Sequence, residues 1–542
     1  MVSRVTELSR RAAVESRALR HVWRAGMIGL DPPARTLEVF RAIGRLGQLG
    51  GAIAVAAIRH GERPGLSDEL GTLSFNDLHA RSDALASALR ARGVGERDVV
   101  GILCRNHRGF LDITFAAAKV GARILYLNTD FAGPQLRDVA GREGVTLLVH
   151  DQEYEDLVAP IDAARLLGWT DRSSGAETIE RLVQEYAGAK PQPPAEPAAV
   201  VLLTSGTTGT PKGAPRHQGR SLAPIGALLS KVPYRAREST YVAAPMFHGL
   251  GFTQMVLSVT LGCTTITQRR FAPERVLAAI GEHQPTALVV VPVMLSRIVS
   301  VLERDGDRYD TSSLRIVFCS GAQLEAELVR RARRTIGEKL YNFYGSTEVA
   351  YATFATPDDL REAPGCAGQV PFGAVVRLYD FAGQPVSGVG KPGRIFVGNS
   401  FQFDGYTGGG AKEVIDGLMS TGDVGHFDAA GRLWIDGRDD DMIVSGGENL
   451  FPGEVEELLI THPSVDEAAV IGVDDEEFGK RLVAFVVPRQ GESVTEDEVR
   501  EFVRSNLARY KVPRDVVFLD ELPRNPTGKV LKRELRELHT GA

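Results

Sequence analysis

Residues 203–213, LTSGTTGTPKG, constrain the fold more than any other stretch of the chain. They follow the apolar, β-branched run 199–203, which reads as a buried strand delivering a loop to the edge of a sheet. From Thr204 onward the loop carries Gly206, Gly209 and Gly213, the hydroxyl residues Thr204, Ser205, Thr207, Thr208 and Thr210, and Lys212. Glycines let the backbone bend so that successive N–H groups point at an anion, hydroxyls add donors, and the lysine supplies a mobile positive charge. The composition is that of a phosphate-binding loop. A flexible linker of the same residue types fits poorly, because linkers seldom follow a buried strand or close on Pro-Lys-Gly. A Walker A loop is excluded by residue order: there a glycine precedes the lysine and a hydroxyl residue follows it, whereas here Pro211 precedes Lys212 and Gly213 follows.

A chain of 542 residues is too long for one ordinary core, so two or more domains are expected. With 63 basic against 69 acidic residues there is no basic excess of the kind nucleic-acid binding requires, and nucleic acid is not expected as a partner. Cys104, Cys263, Cys319 and Cys366 lie far apart, as small buried apolar residues in a reducing compartment do. Cys104 and His107 have ligand-like spacing, but no second pair completes a tetrahedral zinc site. The amino terminus lacks the apolar core of a signal peptide, and the apolar run 50–58 is far too short to span a bilayer, so the expectation is a cytoplasmic protein, monomeric or homo-oligomeric. The first fifty residues hold nine arginines against four acids, with Val22, Trp23, Met27, Ile28, Leu30 and Phe40 among them. Such a segment is either a helix with a solvated arginine face packed on the main domain or a peripheral contact with an anionic membrane.

Hydrophobic patterning places a capping box at Ser74 and Asp77, a helix through Leu78, Leu85 and Leu89 to Gly93, strands at 99–103, 123–127 and 145–150, and a helix through Phe115 and Val120. Strand-like runs recur at 286–291 and 315–319, the alternation expected of a mainly parallel sheet with helices on its faces. The Pro-rich link 191–197 leads into the phosphate-loop strand. From about Cys366 the texture becomes short Gly- and Pro-punctuated β runs, a β-rich subdomain. The last hundred residues carry their own pattern, with helices at 452–461 and 496–507 and strands at 468–473, 482–487 and 516–519, a compact α+β domain. The fold class is therefore α/β: a large N-terminal domain of mainly parallel sheets with helices plus a β-rich subdomain, then a small mobile α+β C-terminal domain. Its segments are an Arg-rich start at 1–45, a large domain at 46–437, a link at 438–440 and the small domain at 441–542.

A second constellation is NFYGSTE at 342–348, where an aromatic ring, a glycine, two hydroxyls and a carboxylate follow one another. Hard Mg²⁺ takes one or two carboxylates plus phosphate oxygens. Alone the run is an ordinary turn; beside the phosphate loop it has a use. Ser320-Gly321-Ala322, STGD at 420–423, GRDDD at 437–441 and PRNPTGK at 523–529 follow. With these, the chain from about residue 45 onward resembles the adenylate-forming (AMP-binding) superfamily of acyl- and aryl-CoA ligases, luciferases and peptide-synthetase adenylation domains, and most resembles a medium- or long-chain fatty acid–CoA ligase.

The resemblance implies ATP and Mg²⁺ as cofactors and coenzyme A as co-substrate. Thr204, Ser205, Gly206, Thr207, Thr208, Gly209 and Lys212 would hold phosphates, with Thr204 and Glu348 at the metal. Gly321 and Ala322 would lie along the adenine, Tyr344 would stack on it beside Gly345 and Ser346, and Thr347 would contact the α-phosphate. Asp423 would accept from the ribose hydroxyls, Arg438 would face ribose and phosphate, and Lys529 would swing over the site during adenylation. An acyl adenylate must be shielded from water while it forms and then opened to a bulky thiol, which accounts for two domains. The matching hinge position is Asp440, and Gly446 and Gly447 match the run lining the pantetheine channel. His248, in PMFHG at 245–249, would orient the acyl group beside Phe252, Met255, Val256, Leu257 and the apolar run 289–294. No basic residue is evident there to pair a second carboxylate, which favours a fatty acid, with an aryl or other carboxylate, or loading of a separate carrier protein, as alternatives. A luciferase-like oxidase is a further rival. A catalytically silent nucleotide-binding scaffold would be expected to lack Lys529 or Glu348. The chain departs from the family pattern in its three consecutive aspartates at 439–441, in Met419 before the ribose motif, and in three glycines at 408–410 in place of a Trp/Pro turn.

Overall fold

The computed structural model describes residues 2–172, 175–203, 212–216, 221–403, 405–407, 409–439, 443–445, 448–450, 452–475, 479–507, 511–525 and 528–540. The large domain is built on two sheets. One has six strands in the order Ala164–Trp169, Leu147–Asp151, Val99–Leu103, Arg123–Tyr126, Val200–Leu203 and Gly213–Arg216, all parallel except the last. The other has eight: Thr353–Ala355, Leu340–Tyr344, Ile316–Cys319, Ala287–Val290, Ser239–Val242, Thr264–Ile266, Pro64–Asp68 and Gly71–Ser74, with antiparallel strands only at its two edges. Val99–Leu103 and Ala287–Val290 are buried along their whole length, as parallel strands covered on both faces must be. Helix Arg108–Val120 is buried from Gly109 to Val120 and is tied to helix Phe75–Ala91 by charge: Arg81 meets Asp112 at 2.7 Å, and the buried Lys119 donates to Ser82 at 2.7 Å. The expected capping box is present, Ser74 Oγ accepting from Asp77 N while the Asp77 carboxylate accepts from Ser74 N.

The β-rich subdomain is an antiparallel sheet centred on Ala374–Tyr379, Gly393–Asn399 and Leu418–Phe427, with Leu433–Arg438 paired to the last of these. The small domain packs helices Pro452–Ile460 and Glu496–Asn506 around strands Val465–Asp475, Gly479–Pro488 and Asp515–Phe518, over its own core of Val455, Leu459, Val470, Ala484 and Val499.

The N-terminal segment forms two helices, Val2–Arg24 and Pro33–His60. Ala18 and Val22 are buried, and Ala18 packs so tightly on Gly226 that a Cβ there would sit 2.5 Å from it. The second helix is broken at Gly47, whose φ of 71° leaves the helical region. Its second half, which holds the apolar run of the sequence, is buried at Leu49–Ala54, Ala56 and Ala57, whereas the half before the break is at most half-buried, at Thr36, Val39, Ala42 and Leu46. Among the described residues no helix is long and apolar enough to cross a membrane.

Candidate active site

In an open parallel sheet the loops beyond the C-terminal strand ends form the ligand-binding edge, and the sequence motifs cluster there. Strand Leu340–Tyr344 ends in the turn 345–348, which only glycine permits: a Cβ on Gly345 would lie 2.2 Å from the Ala350 carbonyl oxygen. Ser346 Oγ donates to Glu348 Oε2 at 2.9 Å and accepts from Glu348 N and Val349 N. The other carboxylate oxygen, Glu348 Oε1, accepts from Tyr406 OH at 2.7 Å. Burial, then the neighbouring Glu348, pushes that phenol well up, so Tyr406 stays a donor. Lys212 Nζ lies 5.4 Å from the centre of the Tyr406 ring, which therefore bridges the end of the phosphate loop and the Glu348 turn.

The strand leaving the phosphate loop is clamped by the next residue, Thr407. Its N–H donates to Gly213 O at 2.9 Å, its hydroxyl accepts from Gly213 N at 3.0 Å, and the same hydroxyl donates to Glu143 at 2.6 Å. A Cβ on Gly213 would meet Thr407 Oγ1 at 2.5 Å and Val201 Cγ1 at 2.7 Å, so the last glycine of the motif is fixed by packing. Sequence reasoning missed Tyr406 and Thr407. They stand in the glycine-rich run where the chain departs from the family pattern, and the only signal was an aromatic–hydroxyl pair among glycines. Thr204, Ser205, Gly206, Thr207, Thr208 and Gly209, like Asp440, Gly446 and Gly447, lie outside the described residues.

The ribose motif lies across from this turn. Tyr344 OH donates to Asp423 Oδ2 at 2.6 Å and Arg438 Nη1 donates to Asp423 Oδ1 at 3.0 Å. Burial pushes the Asp423 carboxyl above its ordinary range against the pull of Arg438, Tyr344 and Lys529, and burial likewise raises the Tyr344 phenol. Asp423 is thus a buried acceptor held by two protein donors. Gly321, at φ 97°, would carry a Cβ 3.3 Å from Val291 Cγ1. Ser320 Oγ ties this turn to the neighbouring strand by donating to Phe343 O at 2.8 Å.

Lys529 comes from the small domain. Asn525 and Lys529 close a hairpin, with Lys529 N donating to Asn525 Oδ1 and Asn525 N to Lys529 O, each at 2.9 Å. Gly528, at φ 77°, presses so closely on the large domain that a Cβ would lie 2.2 Å from Val293 Cγ1. The small domain is therefore closed on the large one, with the Lys529 charge felt at Asp423. Gln323 crosses the same seam and donates to Glu457 Oε1 at 2.6 Å. Beside it Glu325 is pushed up to about 8 by burial and by the carboxylates of Glu456 and Glu457.

His248 precedes helix Gly249–Leu261 and is enclosed on the acyl side, its Nε2 without a hydrogen-bond partner. Burial alone lowers its pKa to about 4, so the imidazole is neutral. Phe247 lies against it at 4.5 Å, Phe252 packs on Tyr126 at 5.0 Å, and Met255 and Leu257 are buried nearby. Of the run expected to wall the acyl group, Val291 lies against Gly321 and Val293 against Gly528 of the Lys529 hairpin. Elsewhere, the ligand atoms of Cys104, His107 and Asp151 lie within 4.8 Å of one another. The two nitrogens of His107 are already engaged, one with Asp151 at 2.7 Å and one accepting from Gly109 N at 3.0 Å, so this knot ties strand to helix.

The residues present fit Mg²⁺: Glu348 is an oxygen ligand of the hard type such a cation takes, oriented on both sides and with lone pairs to spare. A carboxylate oriented by Ser346 and Tyr406, a second held by Tyr344 and Arg438, and a lysine brought by the small domain agree with the family the chain matches, and its class is an adenylate-forming acid–CoA ligase, which uses ATP, Mg²⁺ and coenzyme A. The chain belongs to the AMP-binding enzyme family, whose model matches residues 53–407, and residues 454–529 match the AMP-binding enzyme C-terminal domain. It is 33% identical to an indoleacetate–CoA ligase of Aromatoleum aromaticum over 86% of this chain and 93% of the relative. It is 34% identical to a feruloyl-CoA synthase of an Amycolatopsis species over 89% and 95%. Among solved structures, o-succinylbenzoate coenzyme A synthetase from Bacillus subtilis in complex with ATP and magnesium ion superposes with a TM-score of 0.78 at 27% identity, covering 90% of this chain and 99% of that one.

Proposed function

We propose that the acid activated here is an aromatic carboxylate. The substrate carboxylate attacks the α-phosphorus of ATP, the bond to pyrophosphate breaks, and an acyl-AMP forms. The thiolate of coenzyme A then attacks the acyl carbon, and AMP leaves. The observation that carries this chemistry is the Lys529 hairpin seated on Val293 with its charge felt at Asp423. A lysine there lies between two anions as they approach and offsets charge as it develops, without any covalent intermediate on the protein. Glu348, with Thr204, would hold Mg²⁺, which would supply charge neutralisation at the phosphate oxygens. Tyr406 orients the Glu348 carboxylate, Tyr344 with Gly321 and Ala322 encloses the adenine, and Asp423 with Arg438 holds the ribose. The closed seam is released by rotation about Asp440, which withdraws Lys529 and opens a thiol path past Gly446 and Gly447.

The aromatic reading is supported by what the relatives' names say they act on, indoleacetate and ferulate, and by an acyl side lined with Phe247, Phe252 and a neutral His248. The fatty acid reading is favoured by the same apolar wall, Met255 and Leu257 included, and is the second candidate. Release of AMP from ATP, measured across arylacetic, hydroxycinnamic, and medium- and long-chain fatty acids with coenzyme A present or omitted, separates them. Aromatic acids are expected to lead in kcat/KM by about tenfold or more, a margin within reach of pocket shape alone. Fatty acids leading by that margin overturn the aromatic assignment and leave the adenylation chemistry standing.

A further inference from the structure

The described residues of the chain leave thirteen large hydrophobic side chains exposed, and six of them fall between residues 19 and 43: Leu19, Trp23, Leu30, Leu37, Phe40 and Ile43. Their placement is orderly. On the first helix Ala18 and Val22 face inward against Gly226, and Glu15 anchors the same side by accepting from Leu222 N at 2.9 Å. Leu19 and Trp23, one turn apart, stand exposed about a quarter turn round the helix from that buried side. On the second helix Leu37, Phe40 and Ile43 recur at three-residue spacing and are exposed, while Thr36, Val39, Ala42 and Leu46 are half-buried on the other side, before the break at Gly47. Leu30, in the connection between the helices, is 90% exposed. The main body anchors this connection from behind, Arg59 meeting Asp31 in an ion pair.

Charge says what covers this face. Residues 1–45 carry nine arginines against four acids, on a chain whose net charge is −6. Arg20, Arg24, Arg41 and Arg45 are exposed among the apolar residues. Apolar side chains projecting from two helices and their connection, with guanidinium groups between them, match an interfacial surface, where aromatic and aliphatic groups enter the headgroup boundary and arginines meet anionic phosphates. We propose that the pair of N-terminal helices is a docking surface for anionic phospholipid, which holds the enzyme at a membrane face without crossing it. The two halves of this surface have different work. The arginines set attraction and salt dependence, while Leu30, Phe40 and Trp23 set the depth of insertion.

The test is co-sedimentation of the full-length protein with vesicles of phosphatidylcholine alone and of phosphatidylcholine with phosphatidylglycerol, at low salt and at about 0.5 M salt. The protein is expected to pellet with the anionic vesicles at low salt and to be released by salt or by omission of the anionic lipid. The Leu30→Asp/Phe40→Asp variant changes two exposed positions. It is expected to lose about tenfold or more of its vesicle affinity, with an unaltered unfolding midpoint and unaltered turnover of water-soluble acids. Wild-type protein remaining in the supernatant with anionic vesicles overturns the proposal, as does a variant that pellets like wild type. A wild-type dimer that this variant dissociates, with no capture by vesicles, assigns the face to a second copy of the chain and overturns it equally.

Discussion

The nucleotide side of the site and its acyl side are made from different materials. Around the nucleotide, each position is held by a specific polar contact or by a turn that only glycine allows: Gly345 under Ala350, Gly213 against Thr407, Gly528 on Val293, and Asp423 between Tyr344 and Arg438. Around the acyl group the wall is apolar packing and one neutral imidazole with an unpartnered nitrogen. Fixed dipoles and charges bind one ligand chemistry and change little when side chains repack, whereas an apolar wall takes its specificity from shape. The first side therefore sets the reaction class, and the second selects among acids.

That contrast predicts how substitutions divide. The largest effect belongs to Lys529→Ala, which is expected to lower acid-dependent ATP–pyrophosphate exchange by about two to three orders of magnitude for every acid tested, because it removes a charge made useful only as the transition state forms. Tyr406→Phe removes the hydroxyl that orients Glu348 while keeping the ring beside Lys212. A roughly tenfold rise in the Mg²⁺ or ATP concentration needed for half-maximal rate is expected, unaltered in its acid preference. His248→Ala acts on the other side. It should shift the ratio of kcat/KM between a bulky aromatic acid and a shorter one by a few fold, with the KM for ATP unchanged. An equal effect on ATP would break the division between the two sides.

The smallest expected effect lies at the seam. Glu325 titrates at about 8 in the closed arrangement, above the usual carboxylate range. Closure therefore takes up a proton at Glu325, so its contribution is fully present only below the ordinary carboxylate range and is lost progressively as pH rises from there to about 8, burial and the carboxylates of Glu456 and Glu457 opposing ionisation. Glu325→Gln should flatten the decline of pyrophosphate exchange across that window, with the gain over wild type growing to a few fold as pH approaches about 8.

The legibility of the sequence follows the same division. Strands such as Val99–Leu103 and the Ser74 capping box were readable because period and cap chemistry are local. The positions of Tyr344, Glu348, Asp423 and Lys529 were readable because each sits in a short run whose glycines and hydroxyls are required together. Tyr406 and Thr407 were not, since their partners Glu348, Gly213 and Glu143 are remote in sequence and only tertiary packing brings them into reach. The Glu325 seam was hidden for the same reason. The neighbours of 289–294 were hidden too, because an apolar run does not say what it meets; Val291 meets Gly321 and Val293 meets Gly528 of the hairpin. The fatty acid expectation rested on the absence of a basic partner, and that absence fits an aromatic acid equally well. At the amino terminus the first helix packs on the main domain, as one of the two readings of the arginine-rich segment expected, while Leu19, Trp23, Leu37, Phe40 and Ile43 remain exposed.

The central claim is that the small domain supplies a lysine to the first half-reaction and takes it away for the second. Thioester formation by Lys529→Ala from acyl-adenylate and coenzyme A, both supplied, tests it most directly. Rates within a few fold of wild type, beside a near-complete loss of pyrophosphate exchange, are what the closed hairpin predicts; loss of both steps to the same degree would contradict it.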